Sequence, residues 1–385
     1  MVIKVSNRGH VAPFMVMDVL REANRREANG QHILHLEVGQ PFTPAPAKVL
    51  KAAKEALLSD QIGYTDAVGL ISLRKRIAKY YFDQHGVEIS PDQVVITTGS
   101  SAGFVLASLS AFDPGDTVAI AEPGYPAYKN IFSALGIDVV SFSVAQEENY
   151  QTTQLEIDLL DRRIDGLILA SPANPTGTMI SPENMEAIVN YCASENIRLI
   201  SDEIYHGITY TKSETTALEY TDMAFIVNSF SKYYSMTGWR VGWLIAPEAM
   251  VRSVECLSQN LYISVPKLSQ LAAVFAFDCK EELDGNVAVY AKNRSILLRS
   301  LKEMGIRKIA PADGAFYIYA DICHLTENSA DFCNRLLEET GVALAPGQDF
   351  DVKHGSKCVR ISYAGTTDTI NMAVDRISSW VKEKC

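Results

Sequence analysis

The chain has 385 residues, 47% of them hydrophobic and 21% charged, a balance too apolar for a disordered protein and sufficient for a sizeable core. At about 150 residues per domain, this length predicts two domains, or one large domain with an appendage. With 46 acidic against 35 basic residues the formal net charge is -11, which offers no broad attraction to phosphate backbones or anionic lipid and excludes nucleic acid and membrane surfaces as default partners.

The apolar stretch over residues 11–20 contains Pro13 and Asp18 and has no small-residue cleavage site after it, so no signal peptide is read there. A helix is predicted over 14–28, then a short strand over 33–38 that ends at Gly39-Gln40-Pro41. Helices over 47–58 and 70–85 flank the loop Gly63-Tyr64-Thr65-Asp66. The pattern then changes to seven short β-rich runs, at 94–98, 117–121, 139–144, 167–170, 199–202, 225–228 and 241–245. Helical patterns at 102–112, 127–135 and 182–196 separate most of the first five, the rhythm of an α/β unit with a largely parallel, buried sheet. The loop between the last two runs has no room for a crossover helix, which permits a final antiparallel strand.

After Pro247, helical patterns at 248–261, 267–278 and 281–304 give way to alternating strands and helices, read as a second domain. There is no fixed-period repeat, and no apolar run approaches the roughly 20 residues of a membrane-spanning helix. Seven cysteines with no C-x-x-C pair read as reduced thiols of a cytoplasmic protein, and the last of them, Cys385, ends the chain where a prenylation box would continue.

Ligands of such sheets sit beyond the carboxyl ends of the strands, and four loops there are unusual. Thr98-Gly99-Ser100-Ser101-Ala102-Gly103 suits a phosphate cradle at a helix start or a plain strand-to-helix turn. Ser171-Pro172-Ala173-Asn174-Pro175-Thr176-Gly177 fixes the direction of an amide side chain between two prolines, or is a tight turn. In Ser201-Asp202-Glu203-Ile204-Tyr205, Asp202 ends a buried run and needs a cationic or hydrogen-bonded partner unless it caps a helix or reaches the surface. In the stretch from Ser229 to Arg240, Lys232 has hydroxyls and aromatics but no carboxylate among its neighbours in sequence, a setting that can lower an amine pKa as Schiff-base chemistry requires, or it is simply a solvated lysine.

Taken together, Asn174-Pro175-Thr176-Gly177, Asp202-x-x-Tyr205, Ser229-x-Ser231-Lys232, Arg240, and Arg360 in Val359-Arg360-Ile361-Ser362-Tyr363 resemble the class I/II aminotransferases, pyridoxal-phosphate enzymes of the aspartate aminotransferase fold (fold type I). The likeness spans nearly the whole chain in family order. It implies an α/β large domain with a mostly parallel seven-stranded sheet over residues 45–284, and a smaller α+β domain made of 1–44 and 285–385, with a cleft that closes on substrate.

The resemblance also implies roles. Lys232 carries pyridoxal 5'-phosphate as an internal aldimine and then serves as the proton-transfer base, Asp202 pairs with the ring nitrogen, and Tyr205 and Asn174 hydrogen-bond the ring's phenolic oxygen. Tyr125 stacks on the ring, while Ser100, Ser101, Ser229 and Arg240 hold the phosphate. Tyr64 reaches the phosphate of a neighbouring subunit, which makes the active unit a homodimer. Arg360 grips the substrate carboxylate, helped by the Gly39 backbone and Asn174.

The resemblance implies transfer of an amino group from an L-amino acid to a 2-oxo acid. The same scaffold also carries β-eliminating C–S lyases and regulators that bind the cofactor without turnover. Ser101 stands where aspartate-specific members often carry lysine, and Asn260 where some relatives carry arginine; with Tyr125, Tyr64, Tyr262 and Phe14 this favours neutral or aromatic donors, with pyruvate or 2-oxoglutarate as acceptors. No metal is expected: His32 with His35 lacks a third ligand, Cys323-His324 is isolated, and His206 reads as a structural neighbour of Tyr205.

Overall fold

The structure, a computed structural model, describes residues 3–59, 61–144 and 149–384. Cys385 lies outside the described residues, and the other six cysteines are free thiols. Helix α1 (Met15–Ala28) is followed by β1 (Leu34–His35), much shorter than the 33–38 expected, because its ladder consists of one two-residue partner. Helices α2 (Ala47–Ser59) and α3 (Ile71–His85) come next, α3 ending at Gly86 in the left-handed conformation that closes a helix C-terminus.

All seven β-rich runs are strands of a single sheet: β2 (Val94–Thr97), β3 (Thr117–Glu122), β4 (Asp138–Ser143), β5 (Gly166–Ala170), β6 (Arg198–Asp202), β7 (Phe225–Ser229) and β8 (Gly242–Ile245). Their order across the sheet is β2-β8-β7-β6-β5-β3-β4, and β8 alone runs antiparallel to both its neighbours. Central strands such as β5 and β7 are apolar on both faces because helices cover both sides. Those helices are α4 (Ser100–Ala111), α5 (Pro126–Leu135), α6 (Gln154–Asp158) and α7 (Pro182–Glu195). The five-residue α6 was not read from the sequence; a capping box between Thr153 and Glu156 starts it, and it is too short to show a 3.6-residue period.

Two of the longer helices expected after Pro247 are divided. Residues 248–250 form a 3-10 turn ahead of α8 (Val251–Leu261), and α9 (Lys267–Ala273) stops short of a second such turn at Ala276–Asp278. Helix α10 (Lys280–Glu303) then leads into β9 (Tyr317–Asp321), α11 (Ser329–Thr340), β10 (Val342–Ala343), β11 (Ala345–Pro346), β12 (Cys358–Ser362) and α12 (Thr367–Lys384). Strands β11, β12 and β9 form an antiparallel sheet with β12 in the middle. The parallel partner of β1 is β10, and Leu34 and Leu36 pack with Leu297, Phe332, Ile361 and Trp380, so the N-terminal segment shares the core of the C-terminal part. None of the described helices is long and apolar enough to cross a membrane.

Candidate active site

The carboxyl ends of β2, β5, β6 and β7 meet the central strand of the antiparallel sheet around a cavity of about 250 Å³. Of the residues singled out in the sequence, Gly39, Ser100, Ser101, Tyr125, Asn174, Asp202, Tyr205, Lys232, Arg240 and Arg360 line it. They come from ten positions between 39 and 360, gathered because parallel strands end their loops on one edge of the sheet. Lys232 follows β7 and its Nζ donates to the Gly39 carbonyl at 2.6 Å. The same amine sits 5.8 Å from the ring centre of Tyr205 and 5.9 Å from that of Phe316.

Asp202, the last residue of β6, is buried and its Oδ1 accepts from the Ile204 backbone N–H at 3.0 Å, while Tyr128 donates to Oδ2. Burial pushes its carboxyl up to about 6, against the pull of Tyr128, the Ile204 amide and Lys232. Burial and the neighbouring Arg360 and Arg240 cations push the Lys232 amine down to about 8, with Asp202 opposing them. Both shifts have burial as their main cause, which brings the two groups closer to neutral pH than an ordinary lysine and aspartate.

Two arginines face this cavity with no ion-pair partner among the described residues. Arg360, in the middle of β12, is only 2% exposed; Nη1 donates to Asn174 Oδ1 at 2.9 Å, Nη2 donates to the Glu37 carbonyl, and Nε has no partner. Its guanidinium is held between the rings of Tyr317 and Phe350, 4.4 and 4.6 Å from their centres. Arg240 sits at φ +49° just after a 3-10 turn, donates through Nη1 to Thr237 O at 2.9 Å, and packs its guanidinium over Gly99. A side chain at Gly99 would collide with that guanidinium, and Gly99 also holds φ +76°, so the Arg240 position depends on glycine there. Beside it the first residues of α4, Ser100 and Ser101, present hydroxyls and unpaired helix N-terminal N–H groups, the arrangement that takes a phosphate. Arg360, a buried cation without a carboxylate partner, calls for an anionic group, while the more exposed Arg240 stands beside the open N-terminus of α4, where a second anion would be bound.

The family model for class I and II aminotransferases matches residues 31–377. The chain belongs to the class I and II aminotransferases. A valine–pyruvate aminotransferase of Mycobacterium tuberculosis is 49% identical over 382 residues, 98% of each chain. A crystal structure of an aminotransferase from the same organism superposes with a TM-score of 0.97 at 48% identity, covering 99% of this chain and all of the other. The aspartate aminotransferase of Thermotoga maritima superposes with a TM-score of 0.92 at 31% identity, covering 98% and 100%, so this aminotransferase has the aspartate aminotransferase fold.

Two residues picked from the sequence do not line the aminotransferase cavity. Ser229 is buried behind it, its hydroxyl 2.8 Å from that of Ser231 and 3.1 Å from the Val241 carbonyl, and Ser231 is the one that reaches the wall. Tyr64 stands 82% exposed in its loop, away from the cavity of its own chain. Tyr128 and Tyr317 were missed: the first holds Asp202, and the second sits 2.7 Å oxygen to oxygen from Tyr205 and under Arg360. Nothing local marks either one, since Tyr128 is an ordinary apolar-face position of α5 and Tyr317 the first residue of a strand. Asn260 lies on α8 with its amide donating to Cys256 O, outside the cavity.

Proposed function

We propose that this aminotransferase uses pyridoxal 5'-phosphate to move the amino group of a neutral L-amino acid, valine foremost, to pyruvate. The observation that carries the substrate class is the cation count: the cavity's charged donors are Lys232, Arg240 and Arg360, and each has its own place. With Arg240 for a phosphate and Arg360 for the α-carboxylate, no cation remains to pair with an acidic side chain. Phe14, Val16, Met17, Val38 and Ile204 give the rest of the wall an apolar character suited to an aliphatic or aromatic side chain. The valine–pyruvate relative supports the choice of donor and acceptor.

The residues present fit the cofactor. Ser100, Ser101, Ser231 and Arg240 would hold its phosphate, Tyr125 would cover one face of its ring, Asp202 would accept from the ring nitrogen, and Asn174 and Tyr205 would bond its phenolic oxygen. When bound, the group supplies an aldehyde for amines and a ring that takes up the electron pair left at the substrate α-carbon. Lys232 Nζ, whose pKa is brought down to about 8 so that a substantial share of the neutral amine is present near neutral pH, takes the α-proton and later delivers one back. Asp202, held by Tyr128, would offer a carboxylate oxygen to the ring nitrogen and so favour a proton there. Arg360, fixed by Asn174 and Glu37 on the cavity wall, would offer its guanidinium to the substrate carboxylate and so set which bond at the α-carbon faces Lys232.

The assembly in this reading is a homodimer in which Tyr64 of each chain reaches the phosphate site of the other. Residues 1–44 with 285–385 act as a small domain that closes over the large one at 45–284 and excludes water. Free thiols at all six described cysteines support a cytoplasmic location. The test is a donor screen with pyruvate as acceptor: valine and other neutral amino acids should lead aspartate and glutamate in kcat/KM by at least about tenfold. Aspartate or glutamate in first place would overturn the reading of the two arginines.

A further inference from the structure

Away from this cavity, the C-terminal end of α3 and the loop after β6 bring His85, His206 and Glu214 together, with their ligand-capable atoms all within 4.8 Å of one another. Each imidazole has a carboxylate on its Nδ1 side: His85 Nδ1 is 3.3 Å from Glu219 Oε1, and His206 Nδ1 is 3.6 Å from Glu203 Oε2. The Nε2 atoms of both histidines are buried and have no hydrogen-bond partner, and the His206 side chain is only 1% exposed. The backbone of Ser171 lies close to the His206 ring without reaching hydrogen-bond geometry. Glu203 Oε2 is likewise buried and unpartnered. Bare imidazole nitrogens inside a protein cost free energy that an apolar pair in the same place would not.

We propose that His85, His206 and Glu214 form a site for a divalent transition cation of the zinc type. Two imidazoles and one carboxylate, with a fourth position open, are a donor set that suits Zn2+. The Glu219 carboxylate behind His85 Nδ1 leaves the His85 Nε2 free for the ion and strengthens it as a ligand, and His206, with neither ring nitrogen hydrogen-bonded, has a nitrogen to offer. Glu214 is already held, its Oε2 accepting from the Gly207 N–H at 3.0 Å. A tetrahedral ion with bonds of about 2.1 Å needs its ligands about 3.4 Å apart, so small side-chain rotations complete the site. An adjoining cavity of about 490 Å³, which His85 and Glu214 themselves line, supplies the route and the fourth ligand, a water. The two lysines on its wall do not oppose the cation, because Lys212 pairs with Asp313 at 2.6 Å and Lys280 with Asp284 at 2.8 Å.

The ion would tie α3 to the loop that follows Asp202 and contains Tyr205, and its role is therefore to brace that loop rather than to take part in the chemistry. The site is separate from the aminotransferase cavity, and its test does not depend on the donor or the cofactor assigned above. Purified holoenzyme is dialysed against a chelator, titrated with Zn2+ by calorimetry and with Co2+ by visible absorption, and melted with and without Zn2+. The expected result is one equivalent per chain at micromolar or tighter affinity, the absorption of tetrahedral Co2+, and a raised Tm. In His85→Ala and in Glu214→Gln the affinity should fall at least tenfold while the visible band of the bound cofactor is unchanged. His206 is left intact because its burial makes a variant there prone to unfold. No heat and no Co2+ absorption with the unaltered protein would overturn the proposal, as would binding that neither variant weakens.

Discussion

In the proposed reaction, Lys232 concentrates the chemistry in one amine. An ordinary lysine stays protonated to about pH 10, but burial and the Arg360 and Arg240 charges bring this one to about 8. The neutral amine is the form that attacks an aldehyde, so the cofactor-free protein should take up pyridoxal phosphate at a rate that climbs as pH rises toward about 8 and levels off above it. Stopped-flow absorbance over pH 6 to about 10.5 reads this directly. A rate that keeps rising tenfold per pH unit past 9 would mean that the amine is not depressed. Asp202 is shifted the other way, up to about 6, because it too is buried; it remains mostly ionised at pH 7, ready to hold a positive ring nitrogen.

The elements bring these side chains together with little tolerance at their joints. The turn from β2 into α4 is the tightest: Gly99 holds a left-handed backbone and lies under the Arg240 guanidinium. Gly99→Ala should leave the sheet intact, since the residue lies outside β2 and α4, yet displace Arg240 from the phosphate position. Losing one charge-assisted contact is worth about 1.5–3 kcal/mol, so the Kd for pyridoxal phosphate should rise by about tenfold or more. Titration of the cofactor-free variant, with circular dichroism to verify folding, measures it; an unchanged Kd would remove Arg240 from the phosphate site.

At this scale the sequence was largely legible. Seven β-rich runs became seven strands, because strands buried on both faces leave an apolar signature that helices of this length do not. The loops at their carboxyl ends carried Asn174, Asp202 and Lys232 in plain view. Tyr128 and Tyr317 were not legible, since each acts across the fold on a residue far away in sequence, whereas Ser231 stood in the Ser229-x-Ser231-Lys232 motif without being singled out for the phosphate. His206 was read from the sequence as a structural neighbour of Tyr205, and its closeness to His85 was not legible because 121 residues separate the two. The short β1 and α6 were misjudged because their limits are set by one partner strand and one cap rather than by any run of residues.

For the whole molecule, Tyr64 is one of the exposed large side chains that a single chain leaves uncovered. An 82% exposed tyrosine in a loop with Ile62, itself 43% exposed, fits a position covered by a second copy. Sedimentation of the holoenzyme should give a dimer, and Tyr64→Phe should weaken cofactor binding several-fold through one lost hydrogen bond of about 1 kcal/mol while the dimer persists. A monomer with full activity would contradict this. Folding the N-terminal segment into the C-terminal core, through β1 with β10, also places Gly39 and Phe14 opposite Lys232 and Tyr125. Both chain ends therefore contribute to the wall that meets the substrate.

Amino transfer at Lys232 is open to one direct experiment. The near-ultraviolet and visible spectrum of the holoenzyme is recorded before and after adding L-valine alone, with the released product identified by mass. The account predicts that the visible band of the cofactor shifts to that of its amine form, that one equivalent of the 2-oxo acid of valine appears per site, and that pyruvate restores the band while alanine forms. A spectrum unmoved by valine or any other amino acid, or ammonia and pyruvate accumulating from cysteine-type substrates in its place, would contradict it.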